Sequence, residues 1–124
     1  MKILDPEHMH AAFAEAYNSG NLEDLVALYE TDAVLIPQPG QRVEGISAIR
    51  ESLMGFLNLK GSMQIETLSC IPSHDLALLQ AKWNLSATGP DGKPFELSSR
   101  TVEVVRQQSD GSWLFVIDNA FADS

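Results

Sequence analysis

The sequence predicts an α+β domain: a cone-shaped, curved antiparallel sheet wrapped around three N-terminal helices. Three observations carry this. Helical periodicity dominates the first half of the chain, long alternating strands dominate the second, and turn signals separate them at strand-like intervals. The 124 residues suit a single domain, read as 1–124, and a hydrophobic content of 44% is enough to close a core.

Asp5-Pro6 is a helix start, with a carboxylate cap before a proline in the first turn. Met9, Phe13, Ala16 and Tyr17 then form one apolar face. Gly20 ends that helix and Asn21 caps the next, whose face is read as Leu22, Leu25, Val26 and Tyr29. Asp32 to Pro37 reads as a strand, with a short return over Arg42 to Glu44 after Gly40. A third helix follows Gly45, with Ile46, Ile49, Leu53, Phe56 and Leu57 on one stripe. The remaining segments, Met63 to Ile71, Leu76 to Thr88, Phe95 to Gln107 and Trp113 to Phe121, read as strands. The turns between them are Pro72-Ser73-His74-Asp75, Gly89-Pro90-Asp91-Gly92 and Asp110-Gly111.

The formal net charge of −9, from 17 acidic and 8 basic residues, argues against nucleic acid and against anionic membrane surfaces. No apolar run approaches the about 20 residues that span a bilayer, and no charged-then-apolar leader precedes the first helix. Cys70 is the single cysteine, so no intrachain disulfide and no cysteine metal cluster can form, and a cytoplasmic location is expected. His8 and His10 lie two apart on a helix, about 200° around its axis, and cannot readily chelate one ion; His74 stands alone in a turn. No metal site and no cofactor are expected. Phosphate loops, nucleophile elbows and paired cysteines do not occur.

The run "LVALYETDAVLIPQPGQRVEGISAIRESL" and the tail "SSRTVEVVRQQSDGSWLFVIDNAF" resemble the NTF2-like superfamily, in its SnoaL-like and ketosteroid-isomerase-like groups. Together with the strands between them, the resemblance covers nearly the whole chain. It implies a sheet curled around the helices, a pocket between the concave face and the helices, and homodimers formed through the outer sheet face.

The resemblance also implies roles that this sequence keeps only in part. The aspartate base of the steroid isomerases falls at about Pro37, and their helix tyrosine falls at Phe13, with Tyr17 one turn later as a replacement. Their late-strand acid falls at Glu103. Steroid isomerisation by that mechanism is therefore disfavoured. Epoxide-hydrolase relatives of the fold bridge two carboxylates with an arginine, and Thr101 stands where that arginine is expected.

Alternation places Ser99, Thr101 and Glu103 on one strand face. The resemblance turns that face inward with Val116, Asp118 and Ala120. A simple hairpin register sets Gln80 opposite Glu103 and Lys82 near Thr101, which sends Trp83 to the outer surface beside Leu79, Ala81 and Leu85; a slip of one would swap every face. The expected site thus has Glu103 and Asp118 as catalytic acids, with Tyr17, Leu35, Pro37, Phe56, Gln80, Thr101 and Val116 binding the ligand. Phe13 and Leu57 are read as core.

Two functions stay open. One is cofactor-free acid–base chemistry, as an isomerase, cyclase or hydrolase, on a small hydrophobic oxygenated ligand. The alternative is a non-catalytic ligand-binding or dimerisation module, in which the two acids serve as ion pairs or solvated strand positions.

Overall fold

The computed structural model describes residues 2–123. A 3-10 turn, Pro6–His8, opens helix α1, Met9–Asn18; α2, Leu22–Val26, and α3, Ile46–Leu57, complete the helical layer. The strands are β1 (Tyr29–Gln38), β2 (Gln41–Glu44), β3 (Ser62–Ser73), β4 (Leu76–Thr88), β5 (Pro94–Gln107) and β6 (Trp113–Asn119). They form one six-stranded sheet in the order β2-β1-β6-β5-β4-β3, antiparallel except for β1 beside β6. No helix among the described residues is long and apolar enough to cross a membrane.

Local chemistry sets the helix ends. The Asp5 carboxylate accepts Glu7 N–H at 2.9 Å, and the Asn21 side chain accepts Asp24 N–H at 3.0 Å. Gly20 takes φ +69° at the corner between α1 and α2, a backbone state costly for other residues. The end of α1 is stitched to the start of β3 by the Asn18 amide: it donates to Met63 O at 2.9 Å and accepts from Met63 N at 2.8 Å. Gly61, just before β3, passes so close to β4 that a Cβ there would meet Leu85 Cδ1 at 2.6 Å.

Tyr29 belongs to β1 rather than to the second helix, because the helix ends at Val26 and the chain is already extended at Tyr29. The β4–β5 register also differs from the expected one. Five residues, Gly89 to Lys93, separate the paired Thr88 and Pro94, with Gly89 N donating to Lys93 O at 2.8 Å. Pairing the expected strand ends, Thr88 and Phe95, would have set Gln80 opposite Glu103; the loop is one residue shorter and pairs Leu79 with Glu103 and Gln80 with Val102. Every side chain of β4 is thereby moved to the face opposite the expected one. Leu79, Ala81, Trp83 and Leu85 point into the core, while Gln80 and Lys82 are exposed on the outer face.

Strand β6 carries a second irregularity. Val104 pairs with Ile117 and Val105 with Phe115, leaving Val116 as the extra residue of a bulge. The bulge lets Phe115 and Asp118 both face inward although three residues apart, and displaces Val116 from the inward position expected of it.

Candidate functional site

Between the helices and the concave face lies a cavity of about 620 Å³. Its wall is largely aromatic and aliphatic: Phe13, Leu35, Phe56, Trp83, Phe115 and Phe121 contribute, with Pro37 near the β1–β2 turn. Phe13 and Leu57 both pack half-buried against the core, and Phe13 also forms part of the cavity wall. Trp83 is fixed by its indole N–H, which donates to Ala120 O at 2.8 Å, and by edge contacts with Phe56 at 6.1 Å and Phe121 at 5.4 Å.

Four titratable side chains meet on this wall. Glu103 and Asp118 are direct cross-strand partners, each at most 5% exposed. Register alone brings such partners to a Cβ separation of about 5 Å. Glu103 Oε1 accepts from the Thr101 hydroxyl at 2.7 Å and lies 2.9 Å from His10 Nε2. Asp118 Oδ2 accepts from the Tyr29 hydroxyl at 2.6 Å. Thr101 in turn accepts Ala81 N–H at 3.0 Å, so its hydroxyl proton is committed to Glu103. Glu103 Oε1 is thus an acceptor, and His10 Nε2 carries a hydrogen.

The other two carboxyl oxygens have a different situation. Among the described residues, neither Glu103 Oε2 nor Asp118 Oδ1 has a hydrogen-bond partner, yet no fully buried side-chain polar atom is unpaired. These two oxygens therefore border the cavity.

Burial and then the charge of Glu103 push the Asp118 carboxyl up to about 7, against the downward pull of the Tyr29 hydrogen bond. Burial, reinforced by Asp118, holds the Tyr29 phenol well above its usual range. Asp118 can consequently hold or release a proton near neutrality, while Tyr29 remains a donor.

Of the expected ligand-binding residues, Leu35, Pro37, Phe56 and Thr101 line the cavity. Tyr17 does not: it is buried behind Phe56, donating to Phe56 O at 2.9 Å with ring centroids 5.0 Å apart. Gln80 is on the outer face and Val116 is the bulge residue, both for the register reasons given above. No group of three or more His, Cys, Asp or Glu side chains among the described residues could hold a metal ion.

His10 and Tyr29 were not among the expected site residues. His10 sits one residue after Met9 on the apolar side of α1 and is 2% exposed. Its spacing to Phe13 and Tyr17, three and seven residues on, marks a single helical stripe, and a histidine on such a stripe was the available signal.

The family model of the SnoaL-like domain matches residues 10–116. The chain belongs to the SnoaL-like family. No curated protein matches the chain significantly. Solved structures share its fold at low identity. A ketosteroid isomerase-like protein from Erwinia carotovora atroseptica is 20% identical, with TM-score 0.79 over 91% of this chain and 89% of that one. A candidate scytalone dehydratase from Novosphingobium aromaticivorans is 18% identical, with TM-score 0.80 over 91% and 78%. An NTF2-like superfamily protein from Salmonella enterica is 15% identical, with TM-score 0.76 over 91% and 84%. The SnoaL-like chain thus shares its fold with structures described as NTF2-like and ketosteroid isomerase-like.

Proposed function

We propose that this SnoaL-like protein is an acid–base isomerase or dehydratase for a small, hydrophobic, oxygenated molecule bound in the cone cavity. The observation that carries the reading is the pairing of Glu103 with Asp118, each anchored through one oxygen and each presenting the other to an apolar cavity. Such a pair can act as base and acid on one ligand. Glu103 Oε2 takes a proton from carbon next to a carbonyl, while protonated Asp118 donates from Oδ1 to the carbonyl oxygen. The enol that results regains a proton at another carbon, or expels a neighbouring hydroxyl as water. Among the described lining residues only His10 can carry positive charge, which favours a neutral ligand over a carboxylate or phosphate.

The second reading, a binding module without chemistry, is supported by one feature: among the described residues every fully buried side-chain polar atom already has a hydrogen-bond partner within the protein. Deuterium uptake from heavy water into a panel of neutral cyclic ketones and β-hydroxyketones separates the two. Uptake or water loss that depends on the wild-type chain, and that is lost in Glu103→Gln and Asp118→Asn, is the expected result. Binding without any such exchange would leave the module.

We also propose a homodimer through the outer sheet face. The support is a row of apolar side chains, Ile71, Leu78, Val104 and Ile117, running across four neighbouring strands on the side away from the cavity.

A further inference from the structure

We infer that His10 and Thr67 form a rear proton path that joins Glu103 to solvent through the wall of the cone, behind the cavity. The path concerns the carboxylate of the proposed reaction, and it rests on that reading for its use but not for its existence.

Thr67 lies on β3, an edge strand, and is exposed. Its hydroxyl is 2.7 Å from His10 Nδ1, and His10 Nε2 is 2.9 Å from Glu103 Oε1. The strand is shaped for this contact: between Thr67 and Ser69 the β3–β4 register shifts, and Leu68 has no partner on β4. Met63, Ile65 and Thr67 share one side of β3, and the first two line the cavity, so Thr67 continues the inward row to the point where α1 brings His10 against it.

Since Nε2 carries the hydrogen that Glu103 accepts, Nδ1 is the acceptor of the neutral ring and the Thr67 hydroxyl is its donor. One proton then moves in a balanced way. The Thr67 O–H bond breaks as Nδ1–H forms, and the Thr67 oxygen takes a proton from solvent hydronium. The Nε2–H bond breaks as a Glu103 O–H bond forms. The ring ends neutral, one solvent proton is consumed, and one carboxylate is protonated. A ligand that fills the cavity closes the front route from solvent to Glu103, whereas the rear route stays open. His10 and Thr67 act through Glu103 and are positioning residues, not catalytic ones.

The exchange of the His10 Nε2 proton with water tests this, measured by nitrogen-15 NMR on the ligand-free protein. Loss of that proton to Glu103 would leave an imidazolate unless Nδ1 is protonated first, so access from the cavity alone does not drive the exchange. Thr67→Val removes the hydroxyl while keeping the β-branched shape on an edge strand. It is expected to slow the exchange at least tenfold, and Thr67→Ser to restore it to within about twofold of wild type. Exchange in T67V as fast as in wild type would overturn the path, as would exchange in T67S as slow as in T67V. If T67V fails to fold, Thr67→Ile makes the same comparison. No substrate enters the measurement, so a failure of the proposed reaction leaves its result intact, and the reverse.

Discussion

Glu103 and Asp118 stand opposite each other on β5 and β6, and each is held through one oxygen by a group from outside that hairpin: His10 of α1 for Glu103, Tyr29 of β1 for Asp118. Both buried acids therefore depend on elements far away in sequence. The first consequence is a stability that depends on pH with an unusual sign. Asp118 titrates near 7 in the folded chain, against 3.8 for an ordinary aspartate. Between those values the folded state holds a proton that the unfolded state has released. Its contribution is present below pH 4, declines as pH rises through that window, and levels off above 7. The span corresponds to a decline on the order of a few kcal/mol. Asp110 and Glu23, both held below the usual range by hydrogen bonds, have the opposite slope in any variant. Urea denaturation at pH 4.5, 6 and 8 is expected to show wild type losing stability relative to Asp118→Asn as pH rises. Parallel curves would mean that Asp118 is not raised.

The causes of that shift are separable. Removing the neighbouring charge with Glu103→Gln is expected to lower the Asp118 pKa, because the charge of Glu103 opposes its ionisation. Removing the phenol with Tyr29→Phe is expected to raise it, because the Tyr29 hydrogen bond favours the carboxylate. Carboxyl carbon-13 NMR titration of Asp118 reads both. Shifts of the same sign in the two variants would contradict the arrangement.

These arrangements were legible in the sequence to different depths. The caps at Asp5 and Asn21, the breaks at Gly20 and Gly45, and the strand alternation are local, so the elements could be read from neighbouring residues. The acid pair and its inward direction were reached through resemblance to known families; alternation on β5 gave only the residues that share the face of Glu103. What escaped was parity. Whether Gln80 or Leu79 faces Glu103 turns on one residue in the Gly89–Lys93 loop, and whether Val116 or Phe115 faces inward turns on one bulge. His10 and Tyr29 escaped for another reason: their partners lie 93 and 89 residues away, so the stripe on α1 marks His10 as inward-facing but names no partner for it, and Tyr29 carries no local signal at all.

The corrected parity gives Trp83 a use as a reporter. It lines the cavity, against Phe56 and Phe121, whereas Trp113 is buried at the start of β6 and is not among the cavity residues. A ligand entering the cone is expected to change the emission of Trp83 alone. Trp113→Phe should retain the response and Trp83→Phe should lose it. A response that disappears with Trp113 instead would place the ligand elsewhere.

The same parity loads the outer face with apolar side chains. Ile71 pairs with Leu78, Leu78 with Val104, and Val104 with Ile117, so one row crosses the sheet from β3 to β6. Ile71 is 60% exposed, Leu78 40% and Ile117 43%. Scattered apolar residues are ordinary on a surface, but a contiguous row across four strands is the pattern of a covered face. Two copies packed through it would leave both cavities free, since the cavities open on the other side of the sheet. Sedimentation equilibrium of the wild type is expected to give twice the 13.6 kDa chain mass. Ile117→Lys, a charge at an exposed position of that row, is expected to return the protein to one chain mass without loss of folding. The Trp83 response to ligand should persist in that monomer, because the substitution touches only the opposite face. A wild type that sediments at 13.6 kDa at micromolar concentration would exclude the dimer.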